Sequence, residues 1–130
     1  MIVVFTESKN RGTWRLFTFW RKGFSHVFVV DYDPDLKVWI TAECASEKMN
    51  FQFYQGEDAD ALIGHLSQNC TCVDARGEMK TIYFPRWLYC VSFVKHFLGI
   101  RKPWLLTPYQ LYCELRKDGH PLIFTETKEI

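Results

Sequence analysis

The stretch "FSHVFVVDYDPDLKVWITAECASEKMNFQFYQ", Phe24 to Gln55, decides the fold. β-Branched and aromatic residues dominate Phe24 to Tyr32 and Gly23 punctuates its start, which is how a strand reads. Asp33-Pro34-Asp35 then supplies turn chemistry. Leu36 to Cys44 alternates large apolar with polar or small residues, and so short a connection returns it antiparallel to its predecessor. "MNFQFYQ", Met49 to Gln55, alternates again, so the whole stretch predicts a three-stranded meander.

Upstream, "MIVVF" reads as a short β-branched strand, and "WRLFTFW" (Trp14 to Trp20) as either an aromatic strand or a short amphipathic helix. Downstream the period changes. "GEDADALIGHLSQN" predicts a helix with Asp58 or Asp60 as cap, an apolar stripe through Ala61, Leu62 and Leu66, and a stop near Asn69. "CTCVDA" and "KTIYF" are strand-like around an Arg76-Gly77 turn. From Pro85 the character is helical, with Trp87, Cys90, Val91, Val94, Phe97 and Leu98 on one face and Gly99 as C-terminal cap. A second helix follows in "LTPYQLYCELRKDG", with Thr107 as N-cap, Pro108 at the first helical position and Gly119 past the end. "PLIFTETKEI" adds a short strand and a polar tail. The expected class is α+β: a small antiparallel β-sheet or half-barrel packed against helices.

The chain has 130 residues, 48% of them hydrophobic, which suits one domain spanning residues 1–130. With 16 Lys and Arg against 15 Asp and Glu there is no global field to draw nucleic acid. Arg11, Arg15, Arg21 and Lys22 interleave with Trp14, Phe17 and Trp20 in a pattern that can stack on bases. The near-zero net charge favours an amphipathic segment with solvated charges instead, so nucleic acid is not an expected partner. "MIVVF" is too short for a signal-peptide core, and no apolar run approaches the roughly 20 residues of a membrane span. The protein is expected to be made in the cytoplasm with no membrane span.

Five cysteines, Cys44, Cys70, Cys72, Cys90 and Cys113, are an odd number without a C-x-x-C pair, so reduced thiols are the simplest reading. Cys70 and Cys72 would share one face of a strand. Zinc needs about four ligands and nothing nominates the others, so no metal or cofactor is expected. Cys44 and Cys113 read as core fillers, and His65 and His96 as surface residues.

Cys90 and His26 stand apart from these. A cysteine becomes a nucleophile when held as a thiolate, usually by a helix N-terminus and an imidazole. Cys90 lies early in its helix, or in the second turn if that helix begins at Pro85. His26 shares a face of the most regular strand with Phe24 and Phe28, where a polar ring needs a reason. If Val30 pairs near Val38 or Trp39, position 26 falls opposite 42 or 43, and Glu43, or failing that Thr41, can orient the imidazole. Cys90 as core filler, His26 as a satisfied histidine and Glu43 as a solvent-facing strand residue are the plain alternatives.

"GFSHVFVVDYD", "VWITAEC" and "YCVSFVKHFLGI", continuing into "TPYQLYCEL", resemble in that order the His strand, third-residue strand and Cys helix of NlpC-type papain-like cysteine peptidases in their circularly permuted arrangement. Lecithin:retinol acyltransferase-like enzymes and small phage-encoded relatives belong to the same group. The resemblance covers about Gly23 to Leu115, and the run from Gly99 to Tyr112 looks most like the phage and prophage members. It implies Cys90 as nucleophile, His26 as general base and Glu43 as third residue, with Thr41 as rival. Tyr89 stands where that pattern has a small or polar residue. The implied activity is cleavage of an amide or ester bond through an acyl-thioester, with peptidoglycan stem peptides a common substrate class. The alternative is the same fold kept as an inactive structural or interaction module of a phage virion or tail, with virion or tail proteins as partners.

Overall fold

A computed structural model describes residues 1–7, 23–45, 48–75 and 89–125. Their elements run β1 (Ile2–Thr6), β2 (His26–Asp33), β3 (Val38–Ala45), β4 (Lys48–Tyr54), α1 (Gly56–Asn69), β5 (Thr71–Asp74), α2 (Cys90–Leu98), α3 (Pro108–Lys117) and β6 (Leu122–Phe124). All strand pairings are antiparallel, in one open sheet of order β4-β3-β2-β1-β5-β6. The class is α+β, and of the two expected shapes it is the sheet.

β1 lies inside the sheet between β2 and β5, and Val3, Val4 and Phe5 are fully buried because both faces of that strand are covered. Alternation divides the sheet's side chains between two cores. Val3, Phe5, Val27, Val29, Ala42, Cys44 and Val73 turn toward α2 and α3, where Val91, Phe93, Val94, Leu111 and Leu115 meet them. Val4, Val30 and Cys72 turn the other way and pack against Leu66 of α1. Each such Val, Leu or Phe contributes about 1.5–3 kcal/mol on full burial. The helices therefore cover both faces, with the longer apolar contact under α2 and α3.

The meander forms as its period predicts, but in a different register. Strand pairing continues through Asp33 and Val38, placing Val30 opposite Thr41 rather than Val38 or Trp39. The reason is local. Asp33 Oδ1 accepts from the N–H groups of Asp35 (2.9 Å) and Leu36 (3.2 Å), and Lys37 takes φ 54°, so the hairpin closes tightly at the ends of both strands.

Helix α1 begins at Gly56 after an extended Gln55, so neither Asp58 nor Asp60 is its cap. The strand-to-helix turn is made at Gly56, whose φ of 56° is a conformation glycine adopts without strain. Glu57 and Asp58 instead stand in the first turn, where they complement the helix dipole. The caps of α3 are as expected: Gln110 N–H donates to Thr107 Oγ1 (3.2 Å), and Gln110 Oε1 accepts from Thr107 N–H (3.1 Å). Gly99 ends α2 at φ 69°. "WRLFTFW", the basic and aromatic residues from Arg11 to Lys22, "KTIYF" and the segment from Arg76 to Leu88 lie outside the described residues. No described helix is long and apolar enough to cross a membrane.

Candidate active site

Cys90 is the first residue of α2. The helix starts there because Tyr89 is extended (φ −146°, ψ 178°) and its carbonyl takes the first helical hydrogen bond, from Phe93 N–H at 2.9 Å. Ser92 closes the end from within: its Oγ accepts from Tyr89 N–H at 2.9 Å and donates to Tyr89 O at 3.0 Å. Cys90 is thus early in its helix as expected, and the second-turn alternative, which needed a start at Pro85, does not hold. The thiol sits at the positive end of the helix, where the first-turn N–H groups have no intrahelical partners.

His26 is the first residue of β2, and the segment before it is held from two sides. The Glu7 carboxylate, just past β1, accepts from Gly23 N–H and, at 3.0 Å, from the Ser25 hydroxyl, while Ser25 N–H bonds Thr6 O at 3.1 Å. Phe24 is wedged among Phe5, Tyr109 and Tyr112, with ring centroids 5.7, 5.1 and 5.0 Å away. The "TPYQLY" run of α3 therefore supplies two of the rings that fix the residue two positions before His26.

The imidazole meets two groups. Its Nε2 lies 2.9 Å from Glu43 Oε2, and the Cys90 thiol is within hydrogen-bonding range of the ring. Continuing the register one residue past Val29 and Ala42 sets Glu43 opposite Phe28, so it reaches His26 along a diagonal, a spacing that long side chains span. Thr41 is buried opposite Val30, two residues before Glu43 on β3, and Glu43 rather than Thr41 partners the imidazole. The alternation that sends Val27 and Val29 under α2 gives His26 and Phe28 to the opposite face. Thiol and imidazole consequently meet at the end of the sheet where β2 begins, not beneath the body of the helix.

The electrostatics follow from these contacts. The His26 side chain is only 13% exposed, and its burial, the largest single influence, disfavours the cation. Hydrogen bonds to Cys90 and Glu43, with their coulombic attraction, outweigh it and raise the ring from 6.5 to about 9. The Glu43 carboxyl is held below its usual value by the hydrogen bond from His26, with burial opposing and charge attraction assisting. Tyr89 flanks the thiol with its hydroxyl donating to Leu106 O at 2.8 Å, and burial pushes its phenol up.

The remaining cysteines differ in kind. Cys44, Cys70 and Cys72 are buried, and burial, helped by neighbouring Cys70, pushes the Cys72 thiol up to about 12. Cys113 is exposed on α3, which corrects its reading as a core residue. His65 is exposed and His96 half-buried. Among the described residues no three His, Cys, Asp or Glu side chains cluster to hold a metal ion. Glu7, Ser25 and Ser92 escaped sequence reasoning: they act through backbone groups of the residues before His26 and Cys90, and such contacts leave no periodic trace.

No protein-family model, curated protein or solved structure matches this chain.

Proposed function

We propose that the protein is a thiol hydrolase that cleaves an amide or acyl bond through Cys90, His26 and Glu43. The observation that carries the reading is the unbroken row of thiol, imidazole and carboxylate, with the thiol at a helix start. With Nε2 on Glu43, Nδ1 is the ring nitrogen left for the sulfur. The sulfur attacks the acyl carbonyl as a thiolate, and the first-turn N–H groups of α2 stabilise the oxyanion. The imidazolium gives its proton to the departing amine or alcohol as the C–N or C–O bond breaks, leaving an S-acyl thioester on Cys90. Neutral His26 then takes a proton from water, whose oxygen attacks the thioester. The C–S bond breaks, the acid leaves, and the proton remains with the Cys90–His26 pair. Glu43 keeps the ring oriented and favours its cation.

Chain order, His strand before Cys helix, supports a permuted papain-like arrangement, and through that resemblance a peptide substrate such as a peptidoglycan stem and delivery by a phage virion. A second reading, an interaction module of a virion or tail in which the pair is relict, draws on Trp104, which is 63% exposed.

The test is a burst experiment with p-nitrophenyl acetate. One equivalent of rapid nitrophenol release, with an acetyl group found by mass spectrometry on Cys90, is expected. No burst, or acetylation spread over surface lysines alone, contradicts the reading.

A further inference from the structure

Among the described residues the sheet ends at β4 on one side and β6 on the other, and these two strands are built differently. β6 has three residues, and its pairing with β5 shifts register between Cys72 and Val73, two devices that keep an edge from recruiting another strand. β4 has neither. It runs seven residues in an unbroken ladder with β3, contains no proline, and carries one charge, Lys48, at its start. Met49, Phe51 and Phe53 project from it at 56%, 52% and 70% exposure on the face where Phe51 meets Phe93 of α2. Three large apolar side chains on a long regular edge are a template for strand addition.

The sequence of β4 indicates which strand fits. Laid antiparallel against itself about Phe51, it sets Phe51 opposite Phe51, Met49 opposite Phe53, Asn50 opposite Gln52, and Lys48 opposite Tyr54. Apolar residues meet apolar residues and amides meet amides, while the two lysines stand at opposite ends of the ladder. We infer that β4 pairs with β4 of a second copy, about a two-fold axis through Phe51, to make a continuous twelve-stranded sheet. The contact is isologous and therefore closes at two copies. One strand pair with six apolar side chains is a small interface, so the dimer forms in the micromolar range. The thiol and imidazole lie on α2 and β2, off this edge, and remain free in the dimer.

Molar mass by light scattering and sedimentation, from about 1 to about 200 µM, tests this together with three variants. The expected result is a mass that rises with concentration and levels at two copies. Phe51→Lys places two ammonium groups face to face on the axis and weakens association tenfold or more. Phe51→Cys links to itself under mild oxidation, whereas Phe53→Cys, which faces Met49, does not. A constant monomeric mass leaves the edge to some other strand and overturns the proposal, as does growth beyond two copies. Undiminished association of a folded Phe51→Lys, or equal self-linking at positions 51 and 53, overturns it too. If Phe51→Lys fails to fold, the contrast between the two cysteine variants decides.

Discussion

Cys90 and Cys72 are the same residue on opposite sides of one sheet, and their surroundings differ in kind. Cys72 lies on β5, fully buried against Val4, Val30 and Leu66, and that loss of water, with Cys70 nearby, pushes the thiol up to about 12. Cys90 is partly exposed at a helix start with a histidine in reach, and that histidine is itself paired with a carboxylate. Sequence spacing drew attention to Cys70 and Cys72. The imidazole beside it is what sets Cys90 apart, and on the proposed function that environment, not a cysteine motif, is where reactivity would come from.

The two cysteines should differ most in turnover. Cys90→Ala is expected to lower acyl release by about 10³-fold or more, to the uncatalysed background, while Cys72→Ala leaves it unchanged. Nitrophenol release from the two variants checks this. Next comes the pH dependence of stability. Folded His26 keeps its proton to about pH 9 and the unfolded chain only to 6.5. Its contribution is therefore complete below 6.5 and is lost as pH rises through 9, on the order of 3 kcal/mol. Urea unfolding across that window should show the fall, and His26→Ala should flatten it.

A smaller effect is expected at Cys72. Cys72→Ser buries a hydroxyl in an apolar site and should cost about 1–3 kcal/mol in the same urea assay with no loss of turnover. The smallest is at Glu43, which is 37% exposed and so partly screened. Glu43→Gln keeps a hydrogen-bonding group but removes the charge, so turnover should fall about tenfold and the His26 titration, followed by NMR, should move down.

Much of this was legible because two periods dominate the chain. Alternation from Phe24 to Gln55 marks the meander, and Thr107, Pro108 and Gly119 mark the limits of α3 through local chemistry alone. Register was not legible, because it depends on how far strand pairing runs into the Asp33 to Lys37 turn, a matter of side-chain capping and one left-handed backbone angle. Glu43 was nevertheless found, since the actual pairing differs from one expected alignment by two residues, which preserves the face. The start of α2 was missed because Tyr89 carries no N-cap signature and Ser92 does the closing from inside the helix. The exposure of Cys113 was hidden for a similar reason: on a half-buried helix one position decides between core and solvent.

Whether His26 activates Cys90 is decided by competitive alkylation. The intact protein is treated with iodoacetamide at about pH 7, where an ordinary free thiol is mostly protonated, and all five cysteines are ranked by mass spectrometry. Cys113 is the internal standard, because it is the more exposed thiol and accessibility alone would make it react first. Cys90 is expected to label at least about tenfold faster than Cys113, Cys72 to stay silent until unfolding, and His26→Ala to remove the advantage of Cys90. Cys90 labelling more slowly than Cys113, or equally fast with and without His26, would contradict activation by His26.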